Sequence, residues 1–395
     1  MKRFFSYTIL SFFLLLLPTG QASANNNDSI RLSLLTCAPG EEIYSLFGHT
    51  AIRYENSSQG IDVVFNYGLF SFNTPNFIFR FSLGETDYQL GATDYERFAA
   101  EYAFFGRSVW QQTLNLTDEE KTELIRLLQE NYRPENRVYR YNFFYDNCAT
   151  RPRDKIEESI AGKVIYPAEP QDGSLTFRDI VHQYCKGHPW ARFGIDLCIG
   201  SEADQPITQR QMMFAPFYLM DAFDGAQIKG DSIQRPLITA NELVVDATPE
   251  PDESDWMPTP LQCSLLLFIL TAAATIYGIR RRTGLWGIDL FLFGIAGIVG
   301  CVLAFLALFS QHPAVNSNFL LLVFHPGQLL FLPYIIYCVR KGKKCWYLTL
   351  NLAVLTLFIV LFPVIPQRFD FAVVPLALVL LIRSASNLIV TSKKK

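Results

Sequence analysis

Basic residues do not outnumber acidic ones in this chain: 34 Lys and Arg face 37 Asp and Glu over 395 residues, a formal net charge of -3. The positive footprint that nucleic-acid binding needs is therefore missing, and nucleic acid is excluded as a partner class. No glycine-rich phosphate loop is present either. The five histidines are scattered, none at ligand spacing from a cysteine or a glutamate, so no metal and no cofactor is expected. Charge itself nearly disappears after Leu261, which is where the excess behind a 50% hydrophobic composition lies. The first part of the chain reads as soluble and the last as membrane.

What is present begins with Met1-Lys2-Arg3, an apolar run from Phe4 to Leu17, and Ala22-Ser23-Ala24 before polar Asn25-Asn26-Asn27. This is a basic n-region, an h-region too short for a comfortable span, and an A-x-A site, which predict a signal peptide over 1–24 cleaved after Ala24. Cys37 follows Leu-Leu-Thr well past that run, so no lipobox is formed. Residues 25–245 then form an extracytoplasmic domain, 246–260 an acidic, Pro-rich linker with Trp256 placed for the bilayer interface, and 261–395 a transmembrane domain.

Five apolar segments, near 261–279, 286–310, 319–339, 346–365 and 371–388, each match the thickness of a bilayer core. With the first domain outside, Arg280-Arg281-Arg282, Arg340-Lys341-Gly342-Lys343-Lys344 and Lys393-Lys394-Lys395 all fall on the cytoplasmic side, as the positive-inside rule requires. The predicted localisation is the bacterial inner (cytoplasmic) membrane, multi-pass, with the N-terminal domain in the periplasm.

Within the outer domain, β-branched and aromatic residues from Ser33 to Leu116 predict strands, with Thr50–Glu55 and Ile61–Tyr67 as a hairpin around Asn56–Gly60. Thr117-Asp118-Glu119-Glu120 opens a capping box for an amphipathic helix to about Asn131. A second helix is predicted to start near Cys148 and a third to span Thr176–Tyr184. Export permits disulfides, and Cys185 with Cys198 is the candidate pair.

Two segments carry candidate chemistry. Gly48-His49-Thr50 sets a histidine at the mouth of a strand, and Asp146-Asn147-Cys148 sets a cysteine at a helix start, where the positive dipole end is expected to lower a thiol pKa. Read singly, the histidine is more often a structural or surface residue, and the cysteine is as readily a small buried one. Together, a thiol at a helix N-terminus and a histidine on a sheet form the papain-type pairing, with the histidine first in the chain. The hairpin brings Asn66 opposite His49 as the group that orients the imidazole, with Asp62 as its substitute. Asn147, Arg151 and, in the third span, His325 are further candidates. His312 reads as a loop residue.

The His-before-Cys order resembles lecithin:retinol acyltransferase and the NlpC-type papain-like superfamily. A closer likeness lies in Cys37-Ala38-Pro39-Gly40, Phe65-Asn66-Tyr67-Gly68-Leu69-Phe70, Tyr141-Asn142-Phe143-Phe144-Tyr145-Asp146-Asn147-Cys148-Ala149-Thr150-Arg151, Pro189-Trp190-Ala191-Arg192-Phe193-Gly194-Ile195-Asp196 and Asn316-Ser317-Asn318. Over most of the mature chain these runs resemble the Lnb family of lipoprotein N-acyltransferases. The resemblance implies an α+β permuted papain-like domain followed by an all-α five-helix membrane domain. It implies an enzyme that moves an acyl chain, through a Cys148 thioester with His49 as base, to the α-amino group of a lipoprotein's N-terminal diacylglyceryl-cysteine. The acceptor partner is then a lipoprotein, and the donor a phospholipid or the lipoprotein's own glycerol chain. Two alternatives remain open on sequence alone: a membrane-bound cysteine lipid hydrolase or cell-wall peptidase/amidase, and a non-enzymatic envelope assembly module.

Overall fold

A computed structural model of the chain describes residues 29–71, 73, 75–168, 175–230, 234–247 and 257–392. The expected signal peptide, Trp256 and the terminal lysine cluster lie outside these residues. Strands β1 (Ile30–Cys37), β2 (His49–Asn56), β3 (Ile61–Leu69), β4 (Asp87–Asp94), β5 (Val109–Leu114) and β6 (Val138–Arg140) join a late strand, β10 (Ile238–Val245), in one seven-stranded sheet ordered β10-β5-β1-β2-β3-β4-β6. All of its pairings are antiparallel. A small second sheet holds β7 (Lys163–Ile165), β8 (Gln227–Lys229) and β9 (Gln234–Pro236).

The sheet is covered on both faces, which is why its strands are rich in apolar residues rather than strictly alternating. Helix α1 (Phe77–Leu83) leads into β4, and α2 (Tyr95–Phe104) sets Phe98 against Leu35, Ala51 and Val64 on one face. On the other, α3 (Asp118–Tyr132) packs Leu124 and Leu128 against Leu32, Leu34 and Ile52. Thr117 and Glu120 form the capping box expected of α3. Then come α4 (Thr150–Ser159), α5 (Phe177–Tyr184), α6 (Pro189–Cys198), α7 (Gln209–Met212) and α8 (Pro216–Asp224). Cys185 and Cys198 are both free thiols, so the candidate disulfide is not formed.

The membrane half contains α9 (Pro260–Arg281), α10 (Trp286–Phe309), the short α11 (Gly327–Leu330), α12 (Leu332–Lys341), α13 (Trp346–Leu361) and α14 (Val373–Ser392). Four helical stretches among the described residues are long and apolar enough to cross a bilayer; the third expected span is instead a pair of segments, Phe319–Leu330 and Leu332–Lys341, bent by 74°. The cause is in the sequence, because Pro326 and Pro333 remove backbone donors that a continuous helix would need there. Inside the bundle, Arg383 on α14 grips Asp289 on α10 through two bonds of 2.7 and 3.1 Å and reaches Thr275 on α9 at 3.0 Å. Three helices thus share one buried ion pair, the arrangement by which an intramembrane charge is tolerated.

The two halves are bolted together. Phe193 and Leu197 of α6 pack into the apolar core of the membrane helices. Backbone bonds run from Gly200 N to Ala314 O (2.6 Å) and from Ser201 N to Ser317 O (2.9 Å), and Asn318 Nδ2 donates to Leu197 O at 2.7 Å. Beneath them lies Arg178 of α5, fully buried, bonded to Asp196 (2.6 Å), to Asp204 (2.8 Å) and to the carbonyls of Ile199 and Gly200. Arg368, from the last outer loop, completes the cluster through Asp204 (2.9 Å) and Asp179 (2.6 Å).

Candidate active site

His49 is the first residue of β2, paired with Cys37 of β1. Gly48 precedes it with φ +79, and a Cβ there would sit 2.5 Å from the Cys37 carbonyl oxygen, so a side chain at this position would block the strand's start. Side chains two apart share a sheet face, so His49 lies on the face of Ala51, and Ala51 is paired with Asn66 of β3. The imidazole therefore meets Asn66 on the diagonal: His49 Nε2 lies 3.2 Å from Asn66 Oδ1. Since an amide oxygen only accepts, Nε2 carries the hydrogen and Nδ1 is left as the basic nitrogen.

Asp62 sits near the other end of the hairpin, paired with Glu55, and is held by Arg53 through bonds of 2.8 and 2.7 Å. It does not substitute for Asn66. A strand residue four positions removed from Asn66 is carried away along the sheet by its 3.3 Å rise per residue.

Cys148 occupies the turn just ahead of α4, which starts at Thr150 rather than at the cysteine. Asn147 builds that turn. Its Oδ1 accepts from the amides of Ala149 (2.8 Å) and Thr150 (3.0 Å), while its Nδ2 donates to the carbonyls of Phe143 (2.8 Å) and Phe214 (2.9 Å). Arg151 is paired with Asp146 at 2.6 and 2.8 Å and stacks 3.6 Å above the Tyr139 ring. Both residues hold the turn in shape. The thiol faces the ends of β2 and β3, near the backbone amide of Thr50, the neighbour of His49. A Cβ on Gly68, which has φ +93, would lie 3.5 Å from the Cys148 Cβ and 4.0 Å from the Tyr139 hydroxyl. A register shift in β3 between Asn66 and Leu69 re-aims the strand at this point, as bulges beside sites do.

Burial pushes the Cys148 thiol up to about 11, against the pull of the Thr50 amide and its own. It pushes the His49 imidazole down to about 4, opposed by Asn66 and reinforced by the positive charge of Arg107. The thiolate expected from the helix start is corrected: burial favours a neutral thiol and a neutral imidazole, and it outweighs the backbone amides of Thr50 and Cys148 that pull the thiol down. Alkylation of Cys148 by iodoacetamide, followed by peptide mass spectrometry, should accordingly be slow at pH 7 and rise about tenfold per pH unit toward 10, the slope of a group still mostly protonated. A rate already flat from pH 5 upward would mean an ion pair and contradict this. Linkage has the matching sign. Stability is lost as pH rises from 9.0 toward 11, where the unfolded thiol ionises first, and as pH falls from 6.5 toward 4, where unfolded imidazole is protonated first.

The structure thus brings Cys148, His49 and Asn66 to one place. It leaves His325 in the membrane half, 3.3 Å from Asn351 Oδ1, and sets His312 on the Phe81 carbonyl at 2.6 Å. Sequence reasoning missed Tyr139, whose hydroxyl is buried and has no hydrogen-bond partner among the described residues, and the stacked Tyr88 and Tyr141 beside the thiol. The alternation of Tyr139 and Tyr141 ahead of the cysteine was the available sign. No group of histidine, cysteine and acidic residues able to hold a metal occurs among the described residues.

The model of the Lnb N-terminal periplasmic domain matches residues 20–182, and that of the Lnb transmembrane domain matches residues 252–395. The chain belongs to the Lnb family. No curated protein and no solved structure matches it. As a member of the Lnb family it is a multi-pass inner-membrane protein whose N-terminal α/β domain stands in the periplasm above a helical membrane domain. Membership points to a membrane enzyme that processes lipoproteins.

Proposed function

We propose that this Lnb protein is a lipoprotein N-acyltransferase of permuted papain-like design, with Cys148 as nucleophile, His49 as general base and acid, and Asn66 as the residue that orients the imidazole. The observation that carries this reading is the His49–Asn66 bond at the strand ends against which the Cys148 turn is packed. In the first half-reaction the thiol sulfur attacks the ester carbonyl of a glycerolipid and its proton passes to His49; the C–O bond breaks, and the lipid alcohol leaves with that proton. In the second, the free α-amine of the acceptor cysteine attacks the thioester and gives a proton to His49. The C–S bond breaks, and sulfur recovers the proton. Ester and amine become amide and alcohol, a downhill exchange that uses no nucleotide. The Tyr139 hydroxyl, without a hydrogen-bond partner among the described residues, is a donor available to the oxyanion.

The neutral resting pair suits this route, since proton transfer is coupled to attack and no stable thiolate waits for adventitious electrophiles. The test uses purified full-length protein, a phospholipid labelled in its acyl chains, and no acceptor. A hydroxylamine-sensitive label should accumulate on wild type and be discharged to an amide by a diacylglyceryl-cysteine peptide. Amide formation at the wild-type rate by Cys148→Ala would end the thioester reading. Discharge to free fatty acid with no amide would assign a hydrolase instead.

A further inference from the structure

Helix α1 has the sequence Phe-Ile-Phe-Arg-Phe-Ser-Leu, and none of its residues is buried. Ile78 is 80% exposed and Phe79 59%, while its single charge, Arg80, is paired with Asp87 at 2.8 Å. Such a surface is not stable toward water over several aromatic side chains. It is also not free to turn away. Leu83 O accepts from Gln311 N at 2.8 Å, His312 Nε2 lies on Phe81 O, and Phe79 meets Phe305 of α10 at 5.8 Å between centroids. Phe305 in turn meets Phe309, which is exposed on the outer end of that span. The helix is therefore clamped at the level where α10 leaves the bilayer.

From there an unbroken series of ring contacts leads inward. Phe81 stacks on Phe77 (6.1 Å), Phe77 on Phe70 (5.7 Å), Phe70 meets Tyr88 (5.0 Å), and Tyr88 stacks on Tyr141 (4.1 Å). Phe70, Tyr141 and Cys148 all pack against the same apolar core that contains Tyr88. Resting on the acyl-transfer reading above, we propose that α1 is seated in the outer leaflet and that this aromatic series is the track along which one acyl chain of a bilayer phospholipid rises to Cys148. Continuity with the lipid-facing side of α10 selects that occupant: the track begins among side chains already facing lipid and ends at the thiol.

The test has two arms, both on the full-length protein in phospholipid nanodiscs. In the first, Cys148→Ser protein is photolysed with a phospholipid bearing a diazirine near the end of one acyl chain. Crosslinks should concentrate in residues 69–88, and crosslinks confined to other segments overturn the track. In the second, thioester formation on Cys148 is compared between that phospholipid class and a water-soluble butyryl ester. In the double variant Ile78→Ser/Phe79→Ser the ratio of long-chain to short-chain rates should fall at least tenfold. A ratio within twofold of wild type, with the wild-type thiol acylated by both donors, overturns the track and leaves the acyltransferase reading standing. If wild type is acylated by neither donor, the acyltransferase reading fails, and the crosslink map alone decides whether lipid reaches α1.

Discussion

Cys148→Ala should reduce amide formation to background, and His49→Ala should slow it by about 10³-fold, within the range that a positioned general base contributes. The two losses should not add. A thiol without its base and a base without its thiol both lack the covalent route, so the double variant should behave like Cys148→Ala alone, as triad members do elsewhere. Asn66→Ala should cost much less, about tenfold, since it removes one 3.2 Å bond to a ring that the β2 backbone still places. The decisive measurement is a split of the half-reactions: His49→Ala should slow both thioester formation and its discharge to the amine. Loss of only one half would assign the imidazole a single role and revise the mechanism. Asp62→Asn should leave both halves near wild type, because Asp62 serves Arg53 and not the imidazole.

The second large effect is expected far from the thiol. Arg178→Met should destabilise the periplasmic domain by about 3–5 kcal/mol, the cost typical of leaving a buried charge without its partner. Asp196 is itself buried and would keep only His182 at 2.9 Å, while Asp204 would keep only its ties to Arg368. Thermal unfolding followed by near-UV circular dichroism should show the midpoint fall by about 10 °C, from the ~2–4 °C per kcal/mol typical of a domain this large. Arg368→Met should cost about 1 kcal/mol or less, because that side chain is half exposed and its pairs are screened by solvent. Equal losses in the two variants would mean that the cluster is held by packing rather than by its buried charge. The cluster ties α5 and α6 of the outer domain to the Arg368 loop of the membrane half.

The amino-acid sequence by itself carried the order of a periplasmic domain followed by a membrane domain, and the residue types of the proposed site. Apolar runs with basic flanks need no tertiary information, since a bilayer imposes one length and one charge asymmetry on every span. The β2–β3 hairpin was legible for a similar reason: Asn56–Gly60 is a local turn, and with it the pairing that brings Asn66 near His49 follows from a period of two. The capping box at Thr117 is equally local.

Three things were decided only by the tertiary structure. The sign of the thiol's perturbation depended on how much protein surrounds Cys148, a sum over Tyr88, Tyr139, Tyr141 and distant strands that a helix-start motif does not contain. The role of Asp62 depended on Arg53, whose guanidinium competes for it across the same hairpin. The partners of α1 lie in a distant outer loop, with His312 separated from Phe81 by 231 residues, and those of Arg178, at Asp196, Ile199, Gly200 and Asp204, lie in the next helix and the loop after it. Local pattern records which side chains can be apolar, charged or strained. Which of them face one another is set by chain crossings between a sheet and a membrane bundle, where long-range burial outweighs any propensity that a short window can hold.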